Sequence, residues 1–349
     1  MGCFRVSEQL RLGERQLPDY LVRRGVVAEA AGMTVEPAGD GNINWVRRAR
    51  AADGRSWIVK QARPTLERFP EYRASTERIV FEHRYHELAT KLPEGGICPK
   101  IVDFDECERV LVMEDLGGAE RLDHALARGA DVSPAAVALG RFLGAVHRST
   151  REPALADRFR NHEMQRLHGD HIFELPLREN DFPLPPALRA EADRLREDAG
   201  LRAVADLLYA RYLEPRGALV HGDVQAGNVL LVGPDGSHPK LLDAEIAHVG
   251  DPAFDVGILV AHLWMPTLAR GGPGEPAAAL VASTWTAYSD RLGGTLEVPF
   301  ARVARYAGME MLRRTIGAAR IEAAVTPEPG LRILERACAW LHEPPSEPC

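Results

Sequence analysis

Nothing in the 349-residue chain looks like a membrane span. No apolar run reaches the roughly 18 residues that a bilayer crossing needs, and the first thirty residues lack the apolar stretch of a secretory signal. These absences predict a cytoplasmic protein with no membrane partner. A basic excess is also missing. Lysine and arginine number 43 against 50 acidic residues, and the resulting formal charge of −7 argues against DNA or RNA as the main partner. Cysteine is sparse: Cys3, Cys98, Cys107, Cys338 and Cys349 are odd in number and form no C-x-x-C pair. Neither a zinc site nor a disulfide framework is expected, and the thiols are read as reduced. Gly2 opens no myristoylation site, because Val6 stands where that pattern needs Ser or Thr. No repeat of fixed period stands out, so a solenoid is not expected.

What is present is an ordinary globular composition, 45% apolar and 27% charged, in a chain too long for one minimal core. Two packed lobes follow, divided near 115: residues 1–115 as a small, mainly β lobe and 116–349 as a larger, mainly helical one. Residues 43–50 and 55–61 are rich in β-branched and aromatic side chains and flank a turn at Ala51-Ala52-Asp53-Gly54, a hairpin pattern. Residues 75–92 carry helical spacing, with Ser75 or Thr76 as cap and Pro93 and Gly95-Gly96 as the stop. Two short strands are expected around 100–104 and 109–114. After Gly117-Gly118 the pattern turns helical, first over 134–148, and the Pro-rich stretch 150–196 reads as loops and short helices. Short apolar runs return at 218–220, 228–232 and 240–243.

The chemistry concentrates in 219–245, LVHGDVQAGNVLLVGPDGSHPKLLDAE. Asp223 and Asn228 lie five residues apart in a loop after a short strand, and Asp243 ends the strand across the next hairpin. Phosphoryl transfer needs this set: a carboxylate to take the proton of the attacking hydroxyl, and oxygen ligands to hold Mg2+ on the nucleotide phosphates. Asp223 is the expected base, with Asn228 and Asp243 as metal ligands. Glu245, two residues on along an extended strand, assists a second ion. The D-x-x-x-x-N spacing is that of the protein-kinase catalytic loop, but Gly222 replaces its arginine, which points to a small acceptor. A second H-G-D, at His168-Gly169-Asp170, lacks the following Asn and reads as a chance match or a loop of the substrate lobe.

A nucleotide also needs a phosphate cradle. Gly39-Asp40-Gly41-Asn42 precedes the hairpin, where glycine lets backbone amides approach phosphate. Lys60, between apolar neighbours on the second hairpin strand, is the expected phosphate lysine, paired with Glu82 or alternatively with Glu77 or Glu87. The backbone of Met113, Glu114 and Asp115 suits adenine. Asp255 is expected to tie down the catalytic loop, with His221 as a structural neighbour.

These motifs resemble the aminoglycoside phosphotransferase and choline kinase superfamily, through HGDVQAGNVLL, LLDAEIAHVGDPAFDVG and Lys60. Further segments, GDGNINWV, VKQARP, RIVFEHRYHEL, VMEDL, the N-x-E-M-x-x-L run at 161–167 and EMLRRTIGAARI, resemble its methylthioribose kinase branch. The likeness covers most of 34–325. It implies an α+β, bilobal, protein-kinase-like fold and an ATP-dependent kinase of methylthioribose or a related pentose, with a homodimer among its expectations. It also implies that Arg313 and Arg314 bind substrate. Two departures stand out: Val224, Gln225, Ala226 and Asn228 follow the form of antibiotic and choline kinases, and L-D-A-E stands where the branch favours D-P-E. An antibiotic or nucleoside phosphotransferase is therefore the alternative, and a nucleotide-binding pseudokinase is a third reading.

Overall fold

The structure is a computed structural model and describes residues 9–39, 43–65, 67, 73–233, 236–324 and 326–348. Five strands build an antiparallel sheet in the order β1-β2-β3-β5-β4. They are β1 (Thr34–Pro37), β2 (Trp45–Arg50), β3 (Ser56–Gln61), β4 (Ile101–Asp105) and β5 (Val110–Glu114). The expected hairpin forms as β2 and β3, with Val46 opposite Lys60.

Strand alternation decides what each face holds. Trp57, Val59, Val110 and Val112 point to one side and pack with Trp45, Leu12, Leu17 and Leu21. Leu17 and Leu21 belong to α1 (Leu17–Arg23), a helix that sequence reading did not anticipate. The opposite face carries Ile58, Leu111 and Met113 against Ile79 and Val80 of α2 (Arg78–Ala89), and by the same alternation Lys60 points to that side. Helix α2 is not capped by a side chain at its first turn, so the expected Ser75 or Thr76 cap is replaced by a start at Glu77.

The remaining chain is mainly helical. A two-residue β6 (Glu120–Arg121) leads into α3 (Leu122–Ala127), α4 (Ser133–Ser149), α5 (Ala154–Arg158), α6 (His162–Gly169), α7 (Pro186–Glu197) and α8 (Ala199–Leu213). Two small sheets follow: β7 (Ala218–Val220) pairs with β10 (His248–Gly250), and β8 (Val229–Val232) lies between β6 and β9 (His238–Leu241). Helices α9 (Ala253–Arg270), α10 (Glu275–Leu292), α11 (Phe300–Ile316) and α12 (Pro327–His342) complete the fold. The core runs through α9, buried without interruption from Ala253 to Met265. Gly140 and Gly144 of α4 let α10 approach closely, since a Cβ at either would come within 2.5 Å of the Thr284 or Tyr288 carbonyl oxygen.

The strand expected to end at Asp243 stops at Leu241, and Asp243 takes a left-handed φ of 63°. The extended-strand reason for placing Glu245 beside it therefore does not hold. Cys98 and Cys338 are free, but Cys107 is disulfide-bonded, which corrects the reading of all five thiols as reduced. Local spacing cannot reveal such a pair, because approach in space decides it. Among the described residues, no helix is long and apolar enough to cross a membrane.

Candidate active site

Lys60 is almost wholly buried, and its ammonium meets three carboxylates. Its Nζ lies 2.8 Å from Glu82 Oε2, 2.6 Å from Asp243 Oδ1 and 3.0 Å from Glu245 Oε1. Glu82 is thus the partner on α2, while the alternatives Glu77 and Glu87 pair instead with Arg109 and Arg158. The side chain of Asp243 is 46% exposed against 4% for Lys60, so Asp243 is the member that faces solvent. Positive φ at Asp243 is what turns its carboxylate back toward Lys60 and Glu245.

Glu245 is held from three further directions. Asn44 donates from Nδ2 to its Oε1 at 2.7 Å, Arg78 Nε approaches its Oε2 at 3.1 Å, and Asn161 donates to its backbone carbonyl at 2.7 Å. Arg78 has no exposed side-chain surface and also donates to the carbonyls of Ser75 and Arg63. Arg78, Glu82 and His86 recur every four residues and so share one face of α2, a buried polar stripe. Burial opposes the charge on Lys60, yet Asp243, Glu245 and Glu82 together raise its pKa well above the usual lysine value. Burial pushes Glu82 up, with the charges of Asp243 and Glu245 adding to it and Lys60 opposing. Asp243 resists burial and is held low by Lys60. Two cations, Lys60 and Arg78, thus face three carboxylates, and the surplus negative charge calls for a proton or a metal ion.

Ligand oxygens of Glu82, Asp243 and Glu245 all lie within 4.8 Å of one another. Hard oxygen donors carrying surplus negative charge fit a divalent cation such as magnesium. Asn228 spends its Nδ2 on the Asp223 carbonyl at 3.0 Å and on Asp223 Oδ2 at 2.9 Å. Its backbone carbonyl accepts from Leu242 N at 2.9 Å, which brings it alongside the 243–245 turn.

The 221–228 loop is pinned from α9. Asp255 accepts from the backbone N–H of His221 at 2.7 Å and of Gly222 at 2.9 Å, and His147 approaches it at 3.3 Å. Its pKa is lowered by His147 and by these donors, against burial. Gly222 has φ 87°, and a Cβ there would lie 2.8 Å from the Ile246 carbonyl oxygen. Only glycine suits that turn. His221 is buried and packs edge-on to Tyr85.

Asp223 is half-buried. Its Oδ2 accepts from Gln225 Nε2 at 3.0 Å and from Asn228, while Oδ1 is buried without a partner among the described groups. Around it stand the arginines that the resemblance singled out. Arg314 donates from NH2 to Gln225 Oε1 at 2.6 Å, and Arg313 NH1 lies 3.0 Å from His168 Nε2. Both guanidiniums share Glu310, which also meets His262 at 3.1 Å. His168, set aside in the sequence as a chance match, has its Nε2 3.8 Å from Asp223 Oδ1. The sequence reading of this H-G-D as a chance match or a loop of the substrate lobe gives way to a helix, α6, which carries His168 beside Asp223, while Asp170 accepts from Tyr209 at 2.5 Å. Asn44, Arg78, Asn161, His168, Gln225 and Glu310 were not anticipated as site residues.

At the end of β5 and just past it, the side chains of Glu114 and Asp115 are engaged. Glu114 accepts from Lys100 N at 2.8 Å and Lys240 Nζ at 3.0 Å, and Asp115 from Arg48 Nε at 2.7 Å and NH2 at 3.2 Å. Met113 is buried at the end of β5, facing α2. Gly39 has a φ of 64° and open space around it, and Asp40, Gly41 and Asn42 lie outside the described residues.

A strand lysine bound to a helix glutamate under a five-stranded sheet, beside a loop that presents an aspartate and an asparagine, belongs to a kinase of the α+β, protein-kinase-like class. The chain is a member of the phosphotransferase enzyme family, whose model matches residues 34–293. It is 29% identical to the methylthioribose kinase of Yersinia enterocolitica over 87% of this chain and 85% of that protein. Against the methylthioribose kinase of Bacillus velezensis, identity is 26% over 92% and 88%. Among solved structures, the Plasmodium vivax ethanolamine kinase covers 95% of this chain and 90% of its own, with TM-score 0.54 and 12% identity. The choline kinase of Streptococcus pneumoniae covers 94% and 98%, with TM-score 0.53 and 16% identity. These structures share the fold. The chain is an ATP-dependent kinase that transfers a phosphoryl group to a hydroxyl of a small molecule.

Proposed function

We propose that the acceptor is methylthioribose or a closely related pentose. The observation that carries this is the charge near Asp223: Arg314 reaches it through Gln225 and Arg313 through His168, with one carboxylate, Glu310, between the two guanidiniums. A cationic acceptor such as an aminoglycoside or choline would need carboxylates there, whereas a neutral sugar can accept hydrogen bonds from guanidiniums. The methylthioribose kinases that match most of this chain support the same reading. The form at 224–228 favours an antibiotic or nucleoside phosphotransferase as second reading, and the arginines narrow it to acceptors without positive charge. A pseudokinase would lack a catalytic group, yet Lys60, Asp223, Asn228 and Asp243 are all present.

In the mechanism we propose, ATP lies between the lobes 1–115 and 116–349. The backbone of 113–115 holds adenine, while Gly39, Asp40, Gly41, Asn42 and Lys60 hold the triphosphate, with Glu82 orienting Lys60. Asn228, Asp243 and Glu245 would hold magnesium, which when bound offsets charge on the phosphates. Asp223 orients the substrate hydroxyl and takes its proton as the oxygen–phosphorus bond forms and ADP leaves. Arg313 and Arg314 position the sugar. We place this activity in the cytoplasm, with no membrane or nucleic-acid partner and with the homodimer of the resembled family as its assembly. The test is a screen of ATP consumption over methylthioribose, other pentoses, nucleosides, choline and aminoglycosides. Turnover confined to choline or an aminoglycoside would overturn the substrate assignment.

A further inference from the structure

Glu310 is one buried carboxylate serving two buried guanidiniums, so the cluster on α11 carries a surplus positive charge one side chain away from the carboxylate of Asp223. A guanidinium and a carboxylate free to meet ordinarily close into a paired hydrogen-bonded ion pair. Here neither arginine does so. Arg314 ends on the amide oxygen of Gln225, whose nitrogen in turn donates to Asp223 Oδ2. Arg313 ends on His168 Nε2, which stands 3.8 Å from Asp223 Oδ1. Both contacts run through a neutral side chain.

We infer that His168 is a positioning residue: its neutral imidazole stands between Arg313 and Asp223 and keeps the guanidinium off the carboxylate oxygen that accepts the substrate proton. The inference rests on the reading of Asp223 as the base. Arginine can only donate, so Nε2 must carry the lone pair, and the Nδ1 proton faces Tyr212 Oη at 3.5 Å. With no proton on its inner edge, His168 cannot donate to Oδ1, and that oxygen has no partner among the described groups. An unpaired buried acceptor is costly, and a hydroxyl donor from substrate would satisfy it. The groups facing the ring are Arg313, Arg314 and Glu310 from α11, Tyr212 from α8, Phe254 from α9, His171 beyond α6, and Asp223. Burial first, then Arg313, hold the ring well below the usual histidine pKa, consistent with a neutral spacer.

The experiment measures kcat and KM for both substrates in His168→Phe, His168→Asn and His168→Gln, beside wild type and Asp223→Asn. Phe fills the space but offers no acceptor, Asn falls short of Arg313, and Gln places an acceptor near the Nε2 position. The expected result is a fall in kcat of about 10- to 100-fold for Phe and Asn, with KM for ATP nearly unchanged and most of kcat recovered by Gln. Should the Phe variant fail to fold, the Asn and Gln pair decides alone. Wild-type kcat in the Phe or Asn variant overturns the inference, as does equal loss in Asn and Gln. An active Asp223→Asn chain overturns instead the reading of the base on which it depends.

Discussion

At the scale of single residues, the site divides into a proton-accepting group and a charge-balancing one. Asp223→Asn keeps the size of the side chain and removes the base, so kcat should fall by about 10²–10⁴-fold while nucleotide affinity stays close to wild type. A coupled ATP assay and a nucleotide titration check both halves. Lys60 makes a different demand, because its single charge is shared among three carboxylates. Lys60→Met leaves Glu82 buried and unpaired and should cost about 3–5 kcal/mol in denaturant unfolding. Adding Glu82→Gln should recover part of that loss, since the double variant no longer buries the unpaired glutamate charge. A double variant as unstable as the sum of the two singles would show that the pair is not coupled. Asp223, Asn228, Lys60 and Asp243 were legible in the sequence because their chemistry fixes both residue type and spacing. His168 was not, because its role depends on α6 and α11 meeting across a core, which spacing along the chain does not record.

Among the elements, the turn at 221–223 shows how backbone geometry serves the chemistry. Asp255 caps two of its N–H groups, and Gly222 takes a conformation closed to other residues by the Ile246 carbonyl. Gly222→Ala should therefore destabilise the protein by about 1–3 kcal/mol and lower kcat through displacement of Asp223, read by urea unfolding and steady-state kinetics on one preparation. An unchanged unfolding midpoint would mean that the loop can move aside. The β2–β3 hairpin was readable from its β-branched and aromatic residues and its turn, whereas the short strands β1, β6 and β10 were not anticipated. Helix α2 was found by its spacing and Glu82 was read as the partner of Lys60, but Arg78 and His86, which complete a polar stripe where an amphipathic helix normally buries apolar groups, were missed. The stripe at i, i+4, i+8 was itself the available signal. Helix α1 escaped notice because seven residues give little periodicity.

Taken as a whole, the molecule hides much of its titratable chemistry. His86, His168, His221, His248 and His262 are all buried, and burial lowers each pKa, to about 3 for His86 and about 4 for His248. In the unfolded chain each titrates near about 6.5. Below that pH the unfolded state binds more protons than the folded one, so stability is fully present above about pH 6.5 and falls as the solution is acidified toward the folded values. Thermal unfolding followed from pH 8 to pH 5 should hold level down to about pH 6.5 and decline below it; a flat profile throughout would mean that these rings are protonated in the fold. The change from a strand-bearing to a helical chain was legible from composition and turn signals. The two departures at 224–228 and 243–245 leave the acceptor open in the sequence, and the proposed acceptor rests on the arginines of α11, whose approach to Asp223 through His168 and Gln225 spacing does not record.

The most direct measurement follows transfer of the γ-phosphoryl group from ATP to methylthioribose, with choline and an aminoglycoside as parallel acceptors and Asp223→Asn as control. Phosphorylated methylthioribose should accumulate with the wild-type chain alone, and neither cation should be phosphorylated. Transfer to choline or the aminoglycoside but not to methylthioribose, or undiminished transfer by Asp223→Asn, would contradict the assignment.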